Sequence, residues 1–208
     1  MNPFLLRVSL LFILTFNRAF GADSTRCFQQ LPALVEAGKY RTAVDVLNKH
    51  LSGILIFKWQ ENKSIRAVFI NEMGVTFFDL SFYPDRYVYH SILESLDKKA
   101  VRISLAKDLG MLLKQGIFTS KSWNNPEVQP ANANIKNVLL KLQRKGKVLY
   151  TCDAECTRIL SSSNIGRRKK VVQITPFYSG ASVQADSIII QHQTVHFTIR
   201  LKKIYDSE

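Results

Sequence analysis

The chain has 208 residues, enough for one domain with a substantial core, and its formal net charge is +13 at pH 7. Beyond the first 21 residues, no stretch approaches the 18 or so consecutive apolar residues of a transmembrane helix. The remainder is therefore predicted not to cross a membrane.

The amino terminus has the pattern of a cleavable secretory signal, assigned to residues 1–21. Arg7 supplies positive charge, and the apolar run Val8–Phe16 is too short to span a bilayer comfortably. Ala19 and Gly21 place small residues where signal peptidase needs them. The alternative is an uncleaved anchor. Residues 22–208 are predicted to form a single domain.

The charge predicts the kind of partner. Cleavage would remove Arg7 and Arg18 and no acids, so the mature charge would be +13 − 2 = +11. An exported protein this basic is predicted to meet an anionic membrane surface or an acidic envelope component, and not nucleic acid. The alternative is that the charge serves solubility alone.

Three cysteines, Cys27, Cys152 and Cys156, allow at most one internal disulfide. Cys152 and Cys156 can pair only if a turn brings them together, and Cys27 can pair with either. A zinc site is only weakly indicated, because Cys-x3-Cys has no second ligand pair nearby. Lipidation at Cys27 is also weakly indicated, since Ser24–Arg26 does not resemble a lipoprotein cleavage box.

The domain begins with one predicted helix and one predicted strand. Leu31, Leu34 and Val35 follow a helical period within Phe28–Ala37. Residues Tyr40–Leu47 alternate in polarity and are predicted to form a strand, with a helix as the alternative.

The segment Leu51–Phe82 predicts a three-stranded antiparallel meander. Its strands are Leu51–Trp59, Ile65–Ile70 and Val75–Phe82, separated by a polar turn and by a second turn at Gly74. Both faces are largely apolar, which a sheet covered on one side does not require. The meander is therefore predicted to be covered on both sides or to enclose something apolar.

A fourth strand is predicted over Arg86–Ile92, followed by a helix over Lys98–Gln115. Asp97 is the predicted N-cap, and Gly116 the predicted end. Two prolines and four asparagines within Ser120–Asn134 predict a loop.

The second half is again predicted to be β. The expected strands are Ile135–Arg144, Val148–Cys152, Thr157–Ser161, Arg167–Thr175, Ser187–Gln191 and Val195–Ile204. About ten strands with an intervening helix predict a mainly β (α+β) fold, with a highly curved antiparallel sheet forming an open or partial barrel.

Enzyme chemistry is not indicated. There is no Ser-His-Asp spacing, no glycine-rich phosphate loop and no pair of acids on a shared strand face. His192 and His196 are four residues apart, but the surrounding run is β, so they are interpreted as ordinary surface or edge histidines. The prediction is a non-enzymatic protein without a metal or cofactor.

The densest charge run is Arg167, Arg168, Lys169 and Lys170. One interpretation is a contact for anionic lipid headgroups, and the alternative is a solvated strand end.

Several blocks resemble the LolA/LolB lipoprotein-carrier superfamily, and LolB in particular. They are Ser52–Gln60, Arg66–Ile70, Met73-Gly74, Phe77–Leu80, Leu109–Phe118, Arg168–Gln173, Ser187–Gln191 and His196–Ile204. The resemblance implies a half-barrel whose concave side is closed by helices and takes up acyl chains. It also implies that Met73 occupies the position of an exposed leucine used in handing lipoprotein to the membrane. Two features depart from the family: Glu72 replaces a proline, and no convincing lipid-anchored cysteine is present.

The predicted function is therefore an exported envelope protein that binds lipid or an acylated protein. Its location would be the periplasm or the outer membrane, in a Gram-negative bacterium. The residues predicted to line the apolar cavity are Phe57, Trp59, Phe69, Phe78, Leu80 and Leu109. The alternative is a structural or interaction module with a dry core, lacking a cavity of at least ~300 Å³.

Overall fold

The computed structural model describes residues 26–46, 49–166, 169–180 and 182–205. The predicted signal segment lies outside the described residues. Within them, 12 strands form one antiparallel sheet, confirming a mainly β fold with two strands more than the predicted ten or so. The strands are β1 (Gly38–Val46), β2 (Lys49–Trp59), β3 (Ile65–Ile70), β4 (Thr76–Phe82), β5 (Tyr87–Ile92), β6 (Glu127–Asn132), β7 (Ile135–Lys141), β8 (Lys147–Asp153), β9 (Ile159–Ile165), β10 (Lys170–Phe177), β11 (Ser187–His192) and β12 (Phe197–Ile204).

The sheet order is β5-β4-β3-β2-β1-β12-β11-β10-β9-β8-β7-β6. The first and last strands pair at the centre, with Val44 opposite Ile199, and this pairing joins the two halves. β5 and β6 are the two unpaired edges, so the sheet is not closed. This architecture fits a curved half-barrel.

The meander β2–β4 has one face that is buried over most of its length. Leu55 lies opposite Phe69, and Phe69 lies opposite Phe78, so these side chains share what we call the inner face. The outer face is half-buried at Ile54 and Ile56 of β2 and buried at Asp79 and Ser81 of β4.

An ion pair shows that the outer face is not a second core. The Arg66 guanidinium donates to the Asp79 carboxylate, with 2.9 Å between Nε and Oδ1, and holds the pKa of Asp79 below its usual range despite partial burial. The excess of apolar residues in the meander is therefore explained chiefly by cover on the inner face.

That cover is helix α1 (Lys99–Leu113). Tyr150 of β8 donates a hydrogen bond to the Met111 carbonyl at 2.8 Å, and Tyr89 of β5 donates to the Arg102 carbonyl at 2.8 Å. The helix is thus bonded to strands from both halves of the sheet, which fixes it across the inner face.

The ends of α1 differ from the sequence prediction. Lys98, and not Asp97, is the N-cap residue, and it makes no side-chain capping bond. Asp97 instead forms an ion pair with Arg102 at 2.9 Å. At the other end Lys114 adopts a left-handed conformation (φ 55°) that ends the helix before Gly116.

The amino-terminal helix ends earlier than predicted. Residues 26–30 are helical, and the regular helix ends there, seven residues before Ala37. Pro32 explains the end, because proline disfavours a helical conformation in the preceding residue and cannot donate a backbone hydrogen bond. The chain then runs along α1, where the Leu34 amide donates to the Leu112 carbonyl at 2.8 Å.

Two further elements correct the predicted loop Ser120–Asn134. Helix α2 (Ser120–Asn124) begins there, capped by the Thr119 side chain, which accepts from the Ser122 amide at 3.2 Å. Strand β6 follows and forms the edge of the sheet. Its Pro130 is tolerated because an edge strand leaves some backbone amides without a ladder partner.

Candidate functional site

A cavity of about 340 Å³ lies between α1 and the inner face of the sheet. Strands β1, β2 and β12 form much of its wall, and β3 and β4 contribute one phenylalanine each. Its lining residues are Thr42, Val44, Val46, Leu51, Leu55, Phe69, Phe78, Leu96, Ala100, Val101, Ser104, Leu105, Leu109, His192, Val195, His196, Phe197 and Ile199. Most of them are hydrocarbon side chains, so the cavity is suited to an apolar ligand.

Three of the six predicted lining residues, Phe69, Phe78 and Leu109, border this cavity. Phe57 and Leu80 point to the same inner face but lie in the packed core outside the lining set. Trp59 is the last residue of β2, and its side chain is 54% exposed and away from the cavity. Whether any of the six contacts a ligand remains a prediction.

The packed neighbours of Phe57 explain why it does not reach the cavity. Its ring makes an edge-to-face contact with Tyr40, with centroids 5.5 Å apart. Burial raises the pKa of Tyr40 to about 12, consistent with a phenol held inside this cluster. The cavity therefore begins beyond the Tyr40–Phe57 contact, toward the other end of β1.

The most polar feature of the cavity wall is His192. Sequence interpretation placed it at the surface, but it is only 9% exposed. Its Nε2 lies 2.8 Å from Oδ2 of Asp108, on α1. The Asp108 side chain is fully buried, and burial raises its pKa, while the hydrogen bond and charge of His192 act in the opposite direction.

Two other polar lining groups, Thr42 and His196, are differently placed. The Thr42 hydroxyl donates to the Tyr40 carbonyl at 3.0 Å and is thereby satisfied. His196 is exposed in the turn between β11 and β12. His192 and His196 thus border the same cavity, one deep in the wall and one at the surface.

The cavity reaches one edge of the sheet. Neighbouring strands are all antiparallel, so the odd-numbered strands run in the same direction and their carboxyl-terminal ends lie on one side of the sheet. We call this side the cavity edge; it is formed by strand ends and is distinct from the edge strands β5 and β6. Val46 ends β1 there, and Val195 lies in the turn that follows β11. Val195 lines the cavity and is 52% exposed, so the cavity opens to solvent at this edge.

Two predicted membrane-contact features lie along this same edge. Met73, in the turn after β3, is 86% exposed. Lys169 and Lys170, at the turn after β9, are also exposed. Arg167 and Arg168, the other members of the predicted basic run, lie outside the described residues.

The three cysteines meet at another place in the fold. Cys27 and Cys156 form a disulfide, and their Cα atoms are 5.3 Å apart. Cys152 is a free, buried thiol, and the three sulfur atoms lie within 4.8 Å of one another. Burial raises the pKa of Cys152 to about 11. With two of its sulfurs joined, this cluster offers one protonated thiol and no set of thiolate ligands for a metal.

Within the part of the chain that the structure describes, no helix combines the length and apolar composition needed to cross a bilayer.

Comparison with known proteins supports the fold. No family model and no curated protein matches the sequence. A DUF1329 family protein from Desulfovibrio piger has a TM-score of 0.53 at 9% identity, covering 90% of this chain and 92% of that chain. A putative outer membrane lipoprotein-sorting protein domain from Vibrio parahaemolyticus has a TM-score of 0.51 at 10% identity, covering 90% and 91%. A LolA superfamily protein from Nitrosomonas europaea has a TM-score of 0.44 at 12% identity, covering 90% and 94%.

The fold is therefore a helix-covered half-barrel, and the DUF1329 protein and the lipoprotein-sorting protein domain are similar to it in fold. The resemblance to the LolA/LolB superfamily is confirmed as a likeness of fold.

Proposed function

We propose that this protein is an exported, non-enzymatic carrier that binds the acyl chains of a lipid or lipoprotein in the cavity beneath α1. The observation that carries the proposal is the cavity itself, which at about 340 Å³ exceeds the ~300 Å³ at the lower end of ligand sites. A structural module with a dry core has no reason to keep such a space, because interiors are otherwise close-packed.

Binding of an acyl chain requires no reactive group. Each methylene group transferred from water to an apolar wall contributes ~0.8 kcal/mol. Leu55, Phe69 and Leu109 supply such a wall from two strands and the helix. The cavity opens at the cavity edge, so an acyl chain can enter without unfolding of the core.

The composition of the cavity edge supports delivery to a membrane. Met73 and Val195 are apolar side chains exposed to solvent, and Lys169 and Lys170 are exposed cations on the same edge. Apolar side chains insert at the headgroup boundary, and each nearby cation adds attraction to anionic lipids. We propose that this edge faces the membrane, in the periplasm or at the outer membrane of a Gram-negative bacterium. The lipoprotein-sorting description of the Vibrio parahaemolyticus domain agrees with this assignment.

The first test is chemical. Mature protein purified from cells, extracted with organic solvent and analysed by mass spectrometry, should release a lipid or acyl species. Protein recovered without one should take up the methyl ester of a fluorescent fatty acid. Failure of both measurements would leave the dry-core interaction module as the better description.

A matched pair of helix variants locates the binding. Ser104 lines the cavity, whereas the neighbouring Ile103 lies on the other side of α1, beside Tyr87 and Tyr89. Ser104→Phe should fill the cavity and weaken binding of the fluorescent ester by at least about tenfold, equivalent to ~1.4 kcal/mol. Ile103→Phe introduces the same side chain on the other side of the helix and should leave binding within about twofold, equivalent to ~0.4 kcal/mol. Equal effects of the two variants would place the ligand elsewhere.

The basic turn is tested separately. Neutralising Arg167, Arg168, Lys169 and Lys170 to glutamine should weaken association with anionic vesicles and leave association with neutral vesicles unchanged. Unchanged binding to anionic vesicles would mean that these residues form only a solvated strand end.

A further inference from the structure

We propose that His192 is a hydrogen-bond donor to the ligand, and that the cavity therefore selects an acyl chain bearing an uncharged carbonyl group, as in an ester or amide, over a free carboxylate. This inference rests on the proposed acyl-binding function and specifies the polar part of the ligand.

The geometry leaves one ring nitrogen available. The Nε2 atom of His192 is hydrogen-bonded to Oδ2 of Asp108, at 2.8 Å. Among the described residues, Nδ1 has no hydrogen-bond partner, although the side chain is 95% buried and borders the cavity. Buried polar atoms are almost always paired, so an unpartnered nitrogen on the wall of a cavity suggests a partner on the ligand.

The orientation of the ring is held from two sides. Asp108 fixes the Nε2 end through α1, and the Phe197 ring lies against the imidazole with centroids 4.4 Å apart. Both contacts come from elements that themselves border the cavity. The ring therefore presents Nδ1 in a fixed position, as a recognition group requires.

The protonation state follows from burial. A fully buried carboxyl favours the electrically neutral form of the Asp108–His192 pair, because a net charge without water costs several kcal/mol. In that form one proton is shared between Asp108 and Nε2. Oδ1 of Asp108 is buried without a hydrogen-bond partner, so a proton there would be unpaired and the shared proton lies between Oδ2 and Nε2. Whichever of these two atoms holds it, the other imidazole proton is on Nδ1, which is therefore an N–H donor.

A donor in an apolar cavity discriminates among acyl compounds. An ester or amide carbonyl accepts the hydrogen bond and adds no charge. A carboxylate would bring a net negative charge next to Asp108, and an alkane would leave the donor unpaired. The order of preference should be ester or amide first, with carboxylate and alkane disfavoured.

The experiment compares methyl laurate with n-tridecane as competitors of an apolar fluorescent probe, in the purified mature protein. The measured quantity is the dissociation constant of the alkane divided by that of the ester. A change in the apolar wall alters both constants alike, so it does not change this ratio. In His192→Phe this ratio should fall by about tenfold, equivalent to ~1.4 kcal/mol for one lost hydrogen bond. His196→Phe, at the exposed end of the same wall, should change both constants together and preserve the ratio.

A second variant covers the case in which His192→Phe does not fold because Asp108 is left unpaired. The double variant Asp108→Leu, His192→Phe removes both members and should show the same fall in the ratio. Laurate should bind the wild-type protein more weakly than methyl laurate does. In addition, the ¹⁵N signal of Nδ1 should be that of a protonated nitrogen and should shift on addition of ester but not of alkane.

The outcomes separate the two proposals. If neither methyl laurate nor n-tridecane displaces the probe, the acyl-binding function is wrong and this inference with it. If both bind and the ratio is the same in wild type and in the variants, the carrier function stands and the role of His192 is overturned. An Nδ1 signal of an unprotonated nitrogen would also overturn it.

Discussion

Asp108 on helix α1 and His192 on strand β11 share a hydrogen bond, with 2.8 Å between Oδ2 and Nε2. Both side chains are buried, and 84 residues separate them in sequence. The pair therefore joins the helix to the sheet at the wall of the cavity.

This pair makes a stability prediction. Removing one member leaves the other buried without its partner, so His192→Phe should lower the free energy of unfolding by ~3–5 kcal/mol. The double variant Asp108→Leu, His192→Phe should cost clearly less, because no uncompensated group remains. Urea unfolding of the two variants measures the difference. A double variant less stable than the single one would show that the pair stabilises the fold beyond mutual compensation.

Lys114 predicts a pH dependence of stability. Its ammonium donates to the carbonyl of Phe28 at 2.7 Å and lies 4.3 Å from the centre of the Phe28 ring, yet burial lowers its pKa from 10.5 to about 7. Between about pH 7 and 10.5 the unfolded chain thus binds more protons than the folded protein does. Stability should rise with pH across that window, by at most ~1.4 kcal/mol per pH unit.

The measurement is urea unfolding at pH 6, 7.5 and 9. The rise seen in wild type should be reduced in Lys114→Met and retained in Lys141→Met, since Lys141 is an exposed lysine on β7. Parallel pH curves for wild type and Lys114→Met would contradict the lowered pKa of Lys114.

The Cys27–Cys156 disulfide should be a major source of stability. The two cysteines are 129 residues apart, and a cross-link closing so long a loop restricts the unfolded chain strongly. The double variant Cys27→Ala, Cys156→Ala should lose ~2–5 kcal/mol in urea unfolding.

Thiol counting checks the pairing. Native protein should react with no iodoacetamide, and unreduced protein in urea should react with one, at Cys152. Labelling at Cys27 or Cys156 under those conditions would show a different disulfide.

Met73 is predicted to act in membrane transfer and not in folding. Its side chain is 86% exposed, so Met73→Glu should change the free energy of unfolding by less than ~0.5 kcal/mol. Transfer of a bound fluorescent acyl ligand to vesicles should be slower, because a carboxylate resists insertion into the headgroup region. Met73→Leu should retain the wild-type rate. Equal rates for the leucine and glutamate variants would remove Met73 from the hand-over.

The meander was predictable because its signal is local. Alternation over Leu51–Phe82 identified three strands to within a residue or two, and β2–β4 lie where it indicated. The helix over residues 98–115 was also predictable, from its apolar stripe and the following glycine. The strand β6 was missed because proline and asparagine indicate turns, and only a position at the edge of the sheet makes them compatible with a strand.

Alternation along each strand divides its apolar residues between two faces, so the sequence alone yields two alternative candidate sets for the ligand wall. Tertiary structure decided which of them border the cavity. Phe57 and Leu80 share a face with Phe69 and Phe78, but only the latter two lie where α1 leaves space. The same holds for the disulfide and for Asp108–His192, whose partners are brought together only when the strands and α1 are packed. Local patterns specify the elements and the two faces of each. A cavity forms where elements that are distant in sequence pack together without filling the space between them.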